Sequence, residues 1–173
     1  PALGDDFDDF HYIHYNASQI TTLRLLPPCD DGYTEIDSSC YYQSDLDVLQ
    51  IFIDNSDSTI NMNMDVDSSG VIEPLELGIQ EWVDGRIIKL LCNQSGLTGE
   101  IPSEIGELIY LERLHLWGNI LFGNIPSEIG ELIYLESLTV GGNNLTGQIP
   151  DSIYNLTNLE GLSLWGNQLT GQI

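Results

Sequence analysis

Basic side chains are scarce in this chain. Four lysines and arginines face 27 aspartates and glutamates, for a net charge of −23. Most of such a surface repels a phosphate backbone or an anionic membrane, which excludes nucleic acid as a partner. The same excess pushes the folded state apart unless salt or bound cations screen it, and Ca2+ is the first candidate. No apolar run reaches the roughly 18 residues of a membrane span, and there is no lipid-anchor motif. Histidine is limited to His11, His14 and His115, which are scattered; no Cys/His cluster has zinc spacing, and no Ser or Cys sits in a nucleophile elbow. Carboxylate pairs are background in so acidic a chain, so no enzymatic activity is expected. The chain opens on Pro1 without a basic n-region or an apolar h-region, as in a mature protein whose signal has been removed, and the expected location is extracellular.

Cysteine is also sparse, and three is an odd number. Cys29 and Cys40 bracket a short Gly/Asp/Ser segment that an oxidising compartment would close as a disulfide hairpin; the alternative is two unpaired thiols. Asn-X-Ser/Thr sequons stand at Asn16, Asn93, Asn144 and Asn155, candidates for N-glycosylation in a eukaryotic host.

What the chain has in abundance is repetition. Pro102, Pro126 and Pro150 are spaced by 24 residues, as are Asn119, Asn143 and Asn167. The apolar set Leu111, Leu114, Leu116, Leu121, Ile125, Ile129 and Leu132 recurs as Leu135, Leu138, Val140, Leu145, Ile149, Ile153 and Leu156. One such unit cannot bury its apolar face alone, so successive coils must stack around a shared core. Leu-x-x-Leu-x-Leu alternates like a strand, and the asparagines fall at its end, where their amides can satisfy turn backbone. Ser95 takes that place in the first unit, and Cys92 shares a column with Leu116, Val140 and Leu164, which marks it as a buried apolar-like residue.

The frame Leu-x-x-Leu-x-Leu-x-x-Asn-x-Leu-x-Gly-x-Ile-Pro resembles the plant-type leucine-rich repeats of receptor-kinase ectodomains and polygalacturonase-inhibiting proteins. The resemblance runs over residues 82–173, with Trp82-Val-Asp-Gly85-Arg-Ile-Ile like the entry to a first repeat. It implies an α/β repeat fold: a solenoid with a parallel β-sheet on one face, and extracellular recognition of proteins, peptides or glycans. The expected division is an acidic N-terminal arm over 1–28 with strand character at Phe10 to Tyr15, a small helical, disulfide-containing cap over 29–86, and repeats over 87–173.

Within the cap, apolar residues three and four apart over 43–55, after Ser44 as N-cap, predict a helix that covers the first coil. Asp65-Val-Asp67-Ser-Ser69-Gly70-Val71-Ile72-Glu73-Pro74-Leu-Glu76 matches the EF-hand calcium loop position by position, with oxygen donors at loop positions one, three, five, nine and twelve and Gly70 at the sharp turn. That resemblance implies Asp65, Asp67 and Ser69 as side-chain ligands, Val71 through its carbonyl, Glu73 directly or through water, and Glu76 with both oxygens. Pro74 is placed to open an exit helix over Leu75 to Trp82. The segment before the loop is a poor helix former and no second loop is present to pair with it, so the expected role is structural; the alternative is an Asp/Ser-rich turn without metal.

Residues alternating out of the strands form columns on the sheet. One reads Asn93, Trp117, Gly141, Trp165; with strands about 4.8 Å apart the two indoles should stand roughly 10 Å apart over glycine, a slot for a sugar or an aromatic ring. Leu91, His115, Thr139 and Ser163 form the next column, and Lys89, Arg113, Ser137 and Gly161 the one beyond. Trp117, Trp165, Gly141, His115 and Arg113 are the candidate ligand contacts. Three functions remain: a calcium-stabilised recognition or adhesion module for a protein or glycan; a filament subunit that binds copies of itself through a repeat end that stops at Gln172-Ile173 and the Phe10–Tyr15 arm; and an inhibitor in tight complex with a glycosidase.

Overall fold

The computed structural model describes residues 29–56 and 59–171. The Phe10–Tyr15 arm, the Asn16 sequon and the terminal Gln172-Ile173 lie outside them.

Two short strands, β1 (Tyr33–Ile36) and β2 (Ser39–Tyr42), form an antiparallel hairpin. Its two turn residues, Asp37 and Ser38, both take positive φ (50° and 66°), the twist that a two-residue hairpin demands. A disulfide joins Cys29 to Cys40, with their Cα atoms 5.6 Å apart, and ties the segment before β1 to β2.

Helix α1 (Gln43–Asn55) follows directly, burying Leu46, Val48, Leu49, Phe52 and Ile53 along one face. The expected Ser44 cap does not form: Tyr42 is the N-cap residue, without a side-chain cap, and the Ser44 hydroxyl donates to the Glu107 carboxylate in the first coil. At the far end the buried Ser56 hydroxyl accepts from Thr98 N at 3.0 Å. Both ends of α1 are therefore bonded to the repeats that the helix covers.

From there β3 (Ile79–Val83) and β4 (Arg86–Leu91) make a second hairpin, and the chain then alternates through β5 (Thr98–Glu100), β6 (Arg113–His115), β7 (Ile120–Gly123), β8 (Ser137–Thr139), β9 (Asn144–Leu145) and β10 (Gly161–Ser163). A five-stranded sheet in the order β10-β8-β6-β4-β3 is parallel except for the outer strand β3, and β5-β7-β9 form a second, parallel sheet. Each coil returns through a 3-10 turn, at Ser103–Glu107, Ser127–Glu131 and Asp151–Asn155, started by Pro102, Pro126 and Pro150, whose fixed φ suits that entry.

The repeated leucines and isoleucines point inward as the period predicts. A single core runs from Val48 and Phe52 of α1 through Leu114 and Leu138 to Leu156. The asparagines form a ladder along it. Asn143 Nδ2 donates to Leu116 O (2.9 Å) and Val140 O (3.0 Å), and its Oδ1 accepts from Leu121 N (3.1 Å). Asn119 and Asn167 repeat the pattern one coil to either side. Gly130 lets the turns pack closely: a Cβ there would stand 2.5 Å from Ser152 O.

One expectation fails in this region. The exit helix over Leu75 to Trp82 is replaced by a single 3-10 turn, Pro74–Glu76, and by β3. Gly78, at φ 68°, breaks the helical path, and a Cβ there would lie 2.5 Å from Leu91 O, so the chain folds onto β4 as a strand.

Candidate functional site

The acidic loop curls as its spacing requires. Asp65 accepts from Ser69 N through Oδ1 (3.0 Å) and from Gly70 N through Oδ2 (2.9 Å). Asp67 Oδ1 accepts from Ser69 N at 2.8 Å, and this bond, aided by the Ser69 hydroxyl, holds Asp67 below the usual carboxylate range. Gly70 takes φ 88°, the conformation its place at the turn demands. Glu76, twelfth in the loop, reaches back across it: Oε1 accepts from Val66 N (2.7 Å) and Oε2 from Glu73 N (3.2 Å).

Carboxylate oxygens of Asp65, Asp67 and Glu76 consequently lie within 4.8 Å of one another. The Ser69 hydroxyl and the Val71 carbonyl, 3.0 Å apart, belong to the same turn. The three carboxylates are close enough together to share one hard divalent cation such as calcium. Ile72, in the eighth loop position, and Leu77 just beyond the loop are buried and anchor it to the core. Between the loop and β4 opens a cleft of about 420 Å³ lined in part by Met64, Val66, Ile79 and Leu91.

The outward columns of the five-stranded sheet form in the expected register, Lys89↔Arg113↔Ser137↔Gly161 and Leu91↔His115↔Thr139. Arg113 stands 3.8 Å from Glu136, and Lys89 is bonded to Glu81 of β3, which lowers the Glu81 carboxyl. His115 Nε2 and Ser137 Oγ share a 2.9 Å hydrogen bond. Partial burial, with the Arg113 charge beside it, pulls His115 below the ordinary histidine range, so the ring is neutral at neutral pH. Arg113, His115, Glu136, Ser137, Glu160 and Gly161 line a shallow depression of about 290 Å³.

The tryptophan slot is closed. Trp117 and Trp165 approach to 6.2 Å between ring centroids with planes tilted by 47°, well inside the expected 10 Å. Gly141 and Gly142 offer no side chain between them, so the rings lean inward over the glycines and bury area against each other. Trp165 remains 63% exposed, and Trp117 Nε1 is enclosed without a hydrogen-bond partner. Among the sequons, Asn93, Asn144 and Asn155 are all exposed. Cys92 is buried as expected, which raises its thiol pKa to about 12.

One constellation carried no advance signal. Arg86 forks onto the buried Asp45 carboxylate through Nε (2.9 Å) and Nη2 (2.8 Å), while Ile87 N donates to the same carboxylate at 2.9 Å. The guanidinium lies 4.1 Å from the Tyr42 ring centroid and 4.7 Å from that of Tyr110, and Tyr110 stacks on Tyr134.

Parallel strands one coil apart, an asparagine ladder and a disulfide-bearing N-terminal end define a leucine-rich-repeat solenoid. The Leucine Rich Repeat family profile matches residues 110–132 and 134–156. Similar solved structures include plant receptor-kinase ectodomains. The PEPR1–AtPEP1 structure shares 30% identity over 75% of this chain and 19% of that chain, with a TM-score of 0.64. The ectodomain of the receptor kinase SOBIR1 from Arabidopsis thaliana shares 27% over 75% of this chain and 70% of that one, TM-score 0.59. The GASSHO1/SCHENGEN3 ectodomain from Arabidopsis thaliana, in complex with CASPARIAN STRIP INTEGRITY FACTOR 2, shares 29% over 74% and 19%, TM-score 0.54. The chain thus spans about a fifth of the first and third of these. No curated protein matches the chain. Among the described residues no helix is long and apolar enough to cross a membrane.

Proposed function

We propose that this chain is a non-enzymatic, extracellular recognition module that binds a protein segment along its five-stranded sheet, with calcium locking the loop in front of the repeats. The observation that carries the reading is the ordered outward face of β4, β6, β8 and β10, where Arg113, His115, Ser137 and Gly161 give a run of donors, acceptors and open backbone beside the Trp117–Trp165 pair. Extended segments dock on such faces through anchored side chains and a few placed polar groups. Two of the similar ectodomains were solved with a partner, PEPR1 with AtPEP1 and GASSHO1 with CASPARIAN STRIP INTEGRITY FACTOR 2, which favours a protein ligand. Contact between the two indoles removes the ground for a sugar ring held between them.

In the loop, Asp65, Asp67, Ser69, Val71, Glu73 and Glu76 would hold the calcium. The ion would supply the positive charge that converging carboxylates lack, and the fold would gain by it. The head-to-tail filament depends on the Phe10–Tyr15 arm, which lies outside the described residues.

Panning the secreted chain against a displayed random-peptide library, with calcium present, tests the recognition reading. Enriched binders should lose affinity at least tenfold on Arg113→Ala and on Trp165→Ala, yet keep it on Ser127→Ala on the opposite face. Binders indifferent to the sheet variants would sink it.

A further inference from the structure

The second sheet carries an exposed apolar patch that the recognition face does not use. Ile120 and Phe122 of β7 are 46% and 48% exposed, on the same side of the strand. The 24-residue period alone would set Asn144 beside Ile120. The strands are instead sheared by two residues, and the register sets Phe122 opposite Asn144, with Gly123 opposite the buried Leu145. Registered residues on parallel neighbours project to the same side about 4.8 Å apart. Asn144 begins the sequon Asn144-Leu145-Thr146, and both Asn144 and Thr146 are exposed.

We propose that Asn144 carries an N-linked glycan whose first sugar packs its C–H face over the Phe122 ring and shields the Ile120–Phe122 patch. The ligand class is an N-acetylhexosamine-initiated oligosaccharide, and its donor is a lipid-pyrophosphate-linked oligosaccharide used by the host transferase. The Asn144 amide nitrogen forms a bond to the sugar anomeric carbon and loses a proton. The bond from that carbon to the phosphate oxygen breaks, and the lipid pyrophosphate leaves with the electron pair. The other described sequons differ: the aromatic neighbour of Asn93, Trp117, is already turned onto Trp165, and Asn155 lies in a 3-10 turn outside either sheet. A pyranose linked to Asn144 Nδ2 is about as far from the strand as the Phe122 ring, so the two meet side by side. Apolar area on both is then removed from water.

The inference rests on the secretory route of the proposed function but not on ligand binding. The intact chain is secreted from a eukaryotic host, occupancy at each sequon is read by glycopeptide mass spectrometry, and melting is measured for wild type, Phe122→Ala, Asn144→Gln and the double variant. Asn144 should be occupied, and Phe122→Ala should lower Tm by about 2–4 °C more in the Asn144-bearing chain than in the Asn144→Gln background. On the wild type, an endoglycosidase that leaves one sugar should preserve Tm, whereas an amidase that removes it should lower Tm and raise binding of a hydrophobic dye. Asn144 bare on the secreted chain overturns the site, whatever the state of the other sequons, whereas a chain that is not exported at all overturns the secretory route instead. Equal Phe122→Ala effects in both backgrounds overturn the packing.

Discussion

The Asp45 carboxylate and the Arg86 guanidinium meet at 2.8 Å across the joint between α1 and β4, with Asp45 fully enclosed. Burial weighs against the Arg86 charge, but the hydrogen bond and charge of Asp45 outweigh it and raise its pKa. A buried pair of this kind is costly to break because one charge is left without its partner. Asp45→Asn should destabilise the chain by about 3 kcal/mol, and exchange of amide protons in α1 should quicken more than in β8. A urea midpoint unchanged within error would remove the pair as the clamp between helix and repeats.

Asn143 satisfies four backbone groups from two coils, including Gly141 O at 3.3 Å. Asn143→Ala strands them in the core, and each unpaired buried group costs about 1–3 kcal/mol, so a loss of roughly 3 kcal/mol or more is expected. Asn143→Asp should cost almost as much, because a carboxylate can accept from Leu121 N but cannot donate to the three carbonyls. Equilibrium denaturation of both variants checks this, and a carboxylate as good as the amide would contradict the ladder.

Most of this was legible in the sequence because a repeat announces itself many times. Leu114, Leu138 and Asn143 were placed by the period, and the column Lys89–Arg113–Ser137–Gly161 followed from stacking alone. The Asp45–Arg86 pair was not legible: the partners are 41 residues apart and occur once, so no period points to them. The strand Ile79–Val83 was missed because Pro74, placed to open a helix after the loop, outweighed Gly78, which ends the helical path. The tryptophans were misplaced because strand spacing fixes backbone positions, whereas rings over two glycines are free to lean together.

Calcium should raise the melting temperature. At a free concentration about a hundredfold above Kd the gain is about 2.7 kcal/mol, or roughly 5–10 °C for a chain of this size. Glu76→Gln keeps one acceptor for Val66 N while removing the charge, and it should abolish the shift. If a chelator leaves the melting curve of the calcium-loaded chain unmoved, the loop holds no metal.

Stability should depend on His115 below neutral pH. In the unfolded chain its imidazole takes up a proton near pH 6.5, whereas the folded ring does so only at lower pH. Between those values the unfolded state binds more protons, so stability is full above about pH 6.5 and is lost as pH falls. The stability of wild type relative to His115→Gln should decline over that window. A difference that stays flat, or grows on acidification, contradicts the depressed pKa.

Three of the four basic side chains, Arg86, Lys89 and Arg113, sit on β4 and β6, in a chain of net charge −23. At physiological salt the screening length is about 8 Å. A visitor still in bulk solvent therefore meets only the outer fringe of a negative envelope, and Arg113 makes itself felt only after first touch. For the protein recognition proposed above, selection on this face would come after arrival: the lifetime of a complex would be set by whether an acidic group on the visitor takes the Arg113 guanidinium from Glu136.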